Sequence, residues 1–426
     1  MVDIEVIKTT IQDQEKGIEE LVSSNKIIHR EYPLERLKYV RGIANIITGP
    51  RRSGKSVFAF QAIKEQERFG YVNFEDVNLK IKAEELNKVL EAIYSIKGEV
   101  KYFLFDEIQN VPGWEKFVAR LVDNKNIILT GSNSNLLSKE LGSSMTGRHF
   151  DHILLPFSFR EFLSYHKIQY NISKGFSTME KIKLIKELKN YIYTGGFPIG
   201  IELGKQYLDD LYSDIIFKDV VIRHKIKLSS KIRDLANYLA SLSSSEVSYN
   251  KLRNIIGLSS KHTVKEWVGF LEEAYLIFIL KRFSFKKKES LRFPVKIYSI
   301  DPGFLVFSLV DASISKRMEE VVAIELFRRK SYFSQITNIY YWRASTGQEI
   351  DFLLEDKGKV NQLIQVTYAS DKNSINEREV GNLIIGASKL HCSNLLVITW
   401  DYEAEERIKG RKIRFVPLWK WLLNTD

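Results

Sequence analysis

One stretch narrows the possible folds more than any other. Gly49-Pro50-Arg51-Arg52-Ser53-Gly54-Lys55-Ser56 fits G-x-x-x-x-G-K-[ST] at every fixed position. At average residue frequencies a chain of this length meets the pattern by chance on the order of one time in a hundred. The setting is the one the pattern needs. A short apolar run, Gly42 to Thr48, precedes it, and Ser56 to Glu67 follows with helical spacing. The glycines let backbone N–H groups turn inward on phosphates, and the helix N-terminus adds its positive end. Lys55 is then expected to reach the β- and γ-phosphates, and the Ser56 hydroxyl to ligate Mg²⁺. Residues 49–56, with Val57 behind them, form the expected binding set for ATP, with Mg²⁺ as its cofactor.

The rest of the first third alternates between the two element types. Apolar runs at Tyr71–Phe74, Tyr102–Phe105, Ile127–Thr130 and Ile153–Leu155 join Gly42–Thr48 to make five predicted strands. Helical spacing falls between them at Ala83–Ile93 and Trp114–Val122, and the first forty residues read as polar helix. Short continuous apolar strands separated by helices predict a parallel sheet covered on both faces.

The third run ends in Asp106-Glu107. A carboxylate at the end of a buried strand is costly unless it meets a cation or donors, and Mg²⁺ would supply that cation. Asp106 is therefore expected on the metal and Glu107 on the attacking water. The fourth run ends in Thr130-Gly131-Ser132-Asn133, where Asn133 can sense the γ-phosphate or hold the water. Arg148 can neutralise phosphate charge in its own subunit or a neighbour's, or stand as a surface arginine.

Composition sets the wider limits. Lys and Arg number 64 against 53 Asp and Glu, a net charge of +11, so nucleic acid is a favoured partner. The longest uncharged apolar-leaning run, Asn190 to Ile201, is too short to span a bilayer, and the charged N-terminal stretch holds no signal-peptide core. A cytoplasmic protein with no membrane partner is expected. One cysteine, Cys392, excludes internal disulfides and cysteine-based zinc fingers. His149 and His152 flank Asp151 with no further ligand nearby, which reads as solvated or core histidines rather than a metal site.

Taken together, these residues resemble archaeal-type ATPases of the AAA+/STAND branch of P-loop NTPases, fused to a C-terminal region of unknown function. The matching pieces are Arg30-Glu31-Tyr32, the loop at 49–56, Asn73-Phe74-Glu75-Asp76, Asp106-Glu107-Ile108-Gln109, Leu129-Thr130-Gly131-Ser132, Gly147-Arg148 and Phe157-Ser158-Phe159-Arg160-Glu161-Phe162. Gly195-Gly196-Phe197-Pro198 resembles a lid motif whose proline, Pro198, touches the nucleotide. The resemblance implies an α/β fold with strand order 5-1-4-3-2, a helical lid and a winged-helix domain. The expected boundaries are 1–157 for the ATPase core, 158–228 for the lid, 229–312 for the winged helix and 313–426 for a small α/β domain.

The winged-helix reading has support in the residues themselves. Tyr249 to Ile256 fits a short helix with Leu252, Ile255 and Ile256 inward, and Ser260 can cap a longer one with Val264, Val268 and Leu271 at core spacing. Lys261, His262 and Lys265 then lie at the exposed start of a recognition helix, and Lys286, Lys287 and Lys288 on the wing. Between Lys231 and Lys296 there are 13 Lys/Arg and 6 Asp/Glu, a net +7. DNA contact is the expectation, with a protein-contact domain as the alternative. The last third resembles a restriction-endonuclease-like fold, whose acidic centre maps onto Glu319, Asp351 and Gln365. Thr367 stands where that fold carries a lysine to orient the attacking water. A fold kept without the cut is expected.

Three function classes follow. The first is an ATPase coupling hydrolysis to DNA handling. The second is a slow nucleotide-gated switch, and the third an ATP-regulated nuclease. Monomer and homo-oligomer fit equally well.

Overall fold

The apolar run before the phosphate-type loop forms an interior strand of a sheet, buried at every position of β1 (Ala44–Thr48). In this computed structural model the described residues are 2–24, 27–133, 145–290, 292–307 and 313–424. The chain divides into two compact units, Met1–Leu155 with Glu273–Tyr275, and Pro156–Glu272 with Leu276–Asp426.

In the first unit, β1 joins β2 (Phe69–Asn73), β3 (Tyr102–Asp106), β4 (Asn126–Gly131) and β5 (His149–Ile153), all parallel, in the order β2-β3-β4-β1-β5. This is the expected order 5-1-4-3-2 read from the other edge. Helix Ile4–Ser23, capped by the Asp3 carboxylate, buries Ile7, Ile11 and Ile18 along one stripe. It ends well short of residue forty.

The fifth strand lies earlier than its apolar signal, at His149–Ile153 rather than Ile153–Leu155. Among the described residues it is an edge strand paired with β1, so it tolerates an exposed Asp151 in its middle and carries no continuous apolar run. His152 on this strand is a core histidine. Tyr32 Oη lies 2.6 Å from its Nδ1, and Asn45 Oδ1 lies 2.9 Å from its Nε2. Burial, and then the nearby Arg36, push its pKa down to about 4. The folded state thus stays neutral where the unfolded chain already takes up a proton. Stability is fully present above the ordinary histidine pKa of about 6.5 and is lost as pH falls toward 4, by about 3 kcal/mol in all. Urea unfolding at about pH 7 and pH 4.5 should show a larger acid loss for the wild type than for His152→Gln. Equal losses in the two proteins would remove His152 from the account.

The second unit begins with helices Phe159–Tyr165 and Thr178–Thr194. Further on, helix Ser229–Ser241, β6 (Glu246–Val247), helices Tyr249–Ile256 and Lys261–Glu273, β7 (Ile277–Lys281) and β8 (Val295–Ser299) follow in that order. The three strands form an antiparallel sheet, β6-β8-β7. Leu252, Val264, Val268 and Leu271 are buried as expected. Ile255, expected inward, is 47% exposed, because its turn of the short helix faces away from that core.

A six-stranded sheet completes the unit. It holds β9 (Asn338–Arg343), β10 (Glu349–Asp356), β11 (Lys359–Val366), β12 (Leu395–Thr399), β13 (Ala404–Ile408) and β14 (Arg411–Pro417), in the order β13-β14-β12-β11-β10-β9. Helices Ile314–Phe333 and Glu377–Lys389 belong to the same region, the second burying Val380, Leu383 and Ala387 in the core with Ile350 and Leu363. Among the described residues no helix is long and apolar enough to cross a membrane.

Candidate functional site

The turn after β1 is built by close approach. Gly49 has φ +147°, and a Cβ there would sit 2.1 Å from the carbonyl oxygen of Leu154, so only glycine lets the loop leave β1 alongside the end of β5. Helix Lys55–Ile63 then starts at Gly54. Lys55 is buried and folds back over the loop, its Nζ donating to the carbonyl oxygens of Gly49 at 3.1 Å and Pro50 at 2.9 Å. The same ammonium lies 4.0 Å from Glu107 Oε1.

At the next residue, Ser56 Oγ donates to Asp106 Oδ1 at 2.9 Å. Asp106 ends β3 fully buried, and it also accepts from Thr130 Oγ1 and, at 3.4 Å, from Tyr71 Oη. Burial, and then the neighbouring Glu107 carboxylate, push its pKa up to about 6. Glu107 has φ +51°, its backbone N–H donates to Thr130 Oγ1 at 3.0 Å, and Gln109 Nε2 donates to its Oε2. The loop, the Ser56–Asp106 pair and Glu107 therefore meet at the carboxyl ends of β1 and β3.

These residues fit a Mg²⁺–nucleotide. Mg²⁺ characteristically takes one or two protein oxygens and completes its shell with water and substrate phosphates. Ser56 and Asp106 form such a pair, and Asp106 is a buried carboxylate short of positive charge. Ser53 Oγ, on the loop itself, is buried with no hydrogen-bond partner.

Arg30 was noted in the sequence only as part of a matching triplet. Its guanidinium donates to the carbonyls of Ser53 at 2.9 Å and Leu155 at 2.6 Å, bracing the loop from behind. Thr130, three residues before the expected sensor Asn133, turns its hydroxyl to Asp106. Thr130 is legible as a polar residue ending an apolar run, and Arg30 only through the triplet. Their partners depend on strand order, which spacing does not give.

The other expected residues are placed differently. Asn133 is buried just past β4, next to residues 134–144, which lie outside the described set. Arg148 precedes β5 at the amino ends of the strands, opposite the loop. There it donates to the carbonyls of Gly42 at 3.1 Å and Ala119 at 3.3 Å and pairs with Asp123. A role in its own nucleotide site is not what this geometry offers. Pro198 opens helix Pro198–Leu203 in the second unit, while the loop belongs to the first. The Gly195-Gly196 pair before it serves close packing: Gly196 N–H donates to Asp301 Oδ2 at 2.7 Å, and a Cβ on Gly196 would lie 2.2 Å from the Phe157 carbonyl oxygen.

Among the DNA candidates, Lys261 and Lys265 are exposed at the start of helix Lys261–Glu273. Lys286 and Lys288 are exposed between β7 and β8, and the side chain of Lys287 lies outside the described set. Instead of a plain hairpin, this connection holds a helical turn, Lys287–Ser290. Lys296, counted in the same positive stretch, is buried.

A five-stranded parallel sheet with this loop at its carboxyl edge defines the class, a P-loop ATPase-like domain. Sequence comparison agrees: residues 42–163 match the AAA domain, residues 185–313 a domain of unknown function (DUF8612) and residues 316–421 another (DUF4143). An uncharacterized protein of Methanocaldococcus jannaschii is 36% identical over 455 aligned residues, which cover 100% of this chain and 99% of the relative. The chain belongs to the family of that protein, an AAA domain followed by two domains of unknown function. An uncharacterized Haemophilus influenzae protein is 28% identical over 93% of this chain and 99% of its own length. Among solved structures, a Walker-type ATPase of Pyrococcus abyssi is a loose likeness, with TM-score 0.42 and 15% identity over 66% of this chain and 95% of that one.

Proposed function

We propose that the chain binds ATP with Mg²⁺ and hydrolyses it, coupling nucleotide state to DNA binding. The observation that carries this reading is the meeting of Lys55, Ser56, Asp106 and Glu107 at one edge of the parallel sheet. The loop amides and Lys55 would hold the phosphates, and Ser56 and Asp106 would hold Mg²⁺, which supplies charge neutralisation on the phosphate oxygens. Glu107 is the carboxylate left to orient and deprotonate water. ATP turnover measured with and without duplex DNA tests the proposal. No Mg²⁺-dependent turnover under either condition would reject it.

One observation favours slow turnover. Glu107 is engaged on both oxygens, by Gln109 Nε2 and toward Lys55. A base held in this way suits a nucleotide-gated switch that waits for a partner to release it, so stimulation by DNA is the discriminating measurement.

DNA contact is proposed through residues 229–299, where the order helix, strand, helix, helix, strand, strand supports the winged-helix reading. Lys261 and Lys265 would meet the duplex from the recognition helix, and Lys286–Lys288 from the wing. Each backbone phosphate neutralised releases condensed counterions, at about 0.9 in the slope of log affinity against log salt. Replacing Lys286, Lys287 and Lys288 with alanine should weaken binding to all sequences alike and flatten that slope by up to about three. Titration of a labelled duplex at several salt concentrations reads both. An unchanged slope and affinity would leave this region a protein-contact module. For residues 313–426 we propose a nuclease-like fold that does not cut DNA efficiently, because Thr367 replaces the lysine. Wild-type nicking that vanishes in Asp351→Ala would overturn that reading.

A further inference from the structure

The acidic residues Glu319 and Asp351 do converge, but around a lysine that spacing had not connected with them. Lys296 extends from β8 and is 1% exposed. Its Nζ lies 3.0 Å from Glu319 Oε1 on helix Ile314–Phe333, and 2.7 Å from Glu349 Oε1 and 3.5 Å from Asp351 Oδ1 on β10. Tyr298, two residues along β8, donates its hydroxyl to Glu319 Oε1 at 2.7 Å. The second oxygen of Asp351 accepts from Gln365 Nε2 at 2.7 Å and from the Val366 N–H at 3.0 Å. Glu349 Oε2 faces the half-exposed Arg343 at 3.8 Å. Gln365 Oε1 is buried with no hydrogen-bond partner.

Three carboxylates and a carboxamide oxygen from one helix and two strands form a hard-oxygen donor set of the kind that holds a small divalent cation. Here the cation is an ammonium that the chain itself supplies. Buried charges persist only when paired, and this lysine is paired three ways. Burial alone would lower its pKa, but Glu319, Asp351 and Glu349 outweigh burial and raise it, so it stays charged. The ammonium also spaces the carboxylates. Among the described residues, no three acidic, histidine or cysteine side chains are placed to share a metal ion as they stand.

We propose that Lys296 occludes a divalent-cation site formed by Glu319, Glu349 and Asp351, its ammonium taking the place of the metal. The positive charge absent at Thr367 is thus delivered from β8, and the centre is closed to metal while β8 keeps its position. The inference rests on geometry within the second unit and is independent of ATP hydrolysis.

The test uses the full chain without nucleotide and Mn²⁺ as the probe. Wild type and Asp351→Asn should bind Mn²⁺ alike. Lys296→Met should bind one additional Mn²⁺ at least tenfold more tightly than wild type binds any at this centre, as read from the free-Mn²⁺ paramagnetic resonance signal. The gain should vanish in Lys296→Met/Asp351→Asn. In chelator, Lys296→Met should melt roughly 10 °C below wild type, since three carboxylates lose their counter-ion, and Mn²⁺ should restore most of that loss. Lys296→Arg should keep the wild-type melting temperature and gain no Mn²⁺ site. Mn²⁺ binding by the wild type that Asp351→Asn removes would overturn the proposal. So would a folded Lys296→Met with no added site, or a Lys296→Met that fails to fold even in excess Mn²⁺.

Discussion

Lys55→Ala is expected to weaken ATP binding by roughly a hundredfold or more, and Glu107→Gln to leave binding intact while slowing turnover by roughly 10²–10⁴. The two phenotypes separate because the residues meet different states of the reaction. Lys55 would face phosphate charge already present in the bound nucleotide, so its loss appears in ground-state affinity. Glu107 would act on the water as it attacks, so its loss appears in turnover alone.

The geometry sharpens the contrast. Lys55 Nζ bridges the carbonyls of Gly49 and Pro50, so its removal takes a donor from the loop as well as a charge from the site. Glutamine at position 107 keeps the shape of the glutamate and an oxygen that can still accept from Gln109. Fluorescent-nucleotide titration and phosphate release measured on the same preparations decide the matter. Wild-type turnover in both variants would sink the assignment, and lost binding in Glu107→Gln would give that residue a structural role instead.

How much of this was legible in the sequence depends on range. The loop at 49–56 and the Asp106-Glu107 pair are local signals, each a few residues long and tied to an apolar strand, and both could be placed before any fold was known. The strand order came from family resemblance and not from periodicity. β5 was misplaced because an edge strand with Asp151 in its middle has no apolar run to find. β13, β14 and helix Leu418–Leu423 went unnoticed for a related reason: β13 alternates half-buried Ala404, Glu406 and Ile408 with exposed Glu405 and Arg407. Long-range polar pairing was invisible. Lys296 lies 23 residues from Glu319 and 55 from Asp351 in sequence, and nothing in its neighbourhood separates it from the surface lysines nearby. The Arg160-Glu161 pair was legible only as a shared motif, and the structure supplies its physical content.

That content gives the second large effect: Glu325→Ala should destabilise the second unit by about 3–5 kcal/mol, the range for removing one partner from a buried ion pair. Glu325 sits fully inside, on helix Ile314–Phe333, among three arginines. Arg160 Nη2 lies 2.9 Å and Arg329 Nε 3.1 Å from its Oε1, and Arg328 Nε lies 3.3 Å from its Oε2. Burial alone would raise its pKa, but Arg160, Arg329 and Arg328 outweigh burial and hold it below the usual carboxylate range. The arginines also donate to backbone: Arg160 to the Leu422 carbonyl, Arg328 to Pro156 at 2.8 Å, and Arg329 to Trp421 at 2.9 Å. One carboxylate thus ties helix Phe159–Tyr165, helix Ile314–Phe333 and the C-terminal helix Leu418–Leu423 together. Without it the three buried cations lose the carboxylate they share, while Glu161 stays 3.9 Å from Arg328. Glu325→Gln should cost less than alanine, because an amide oxygen still accepts from one guanidinium though it carries no charge. Denaturant unfolding of the two variants against the wild-type midpoint checks the order. If Glu325→Ala unfolds at that midpoint, apolar packing holds the three helices together and the arginines are satisfied by carbonyls alone.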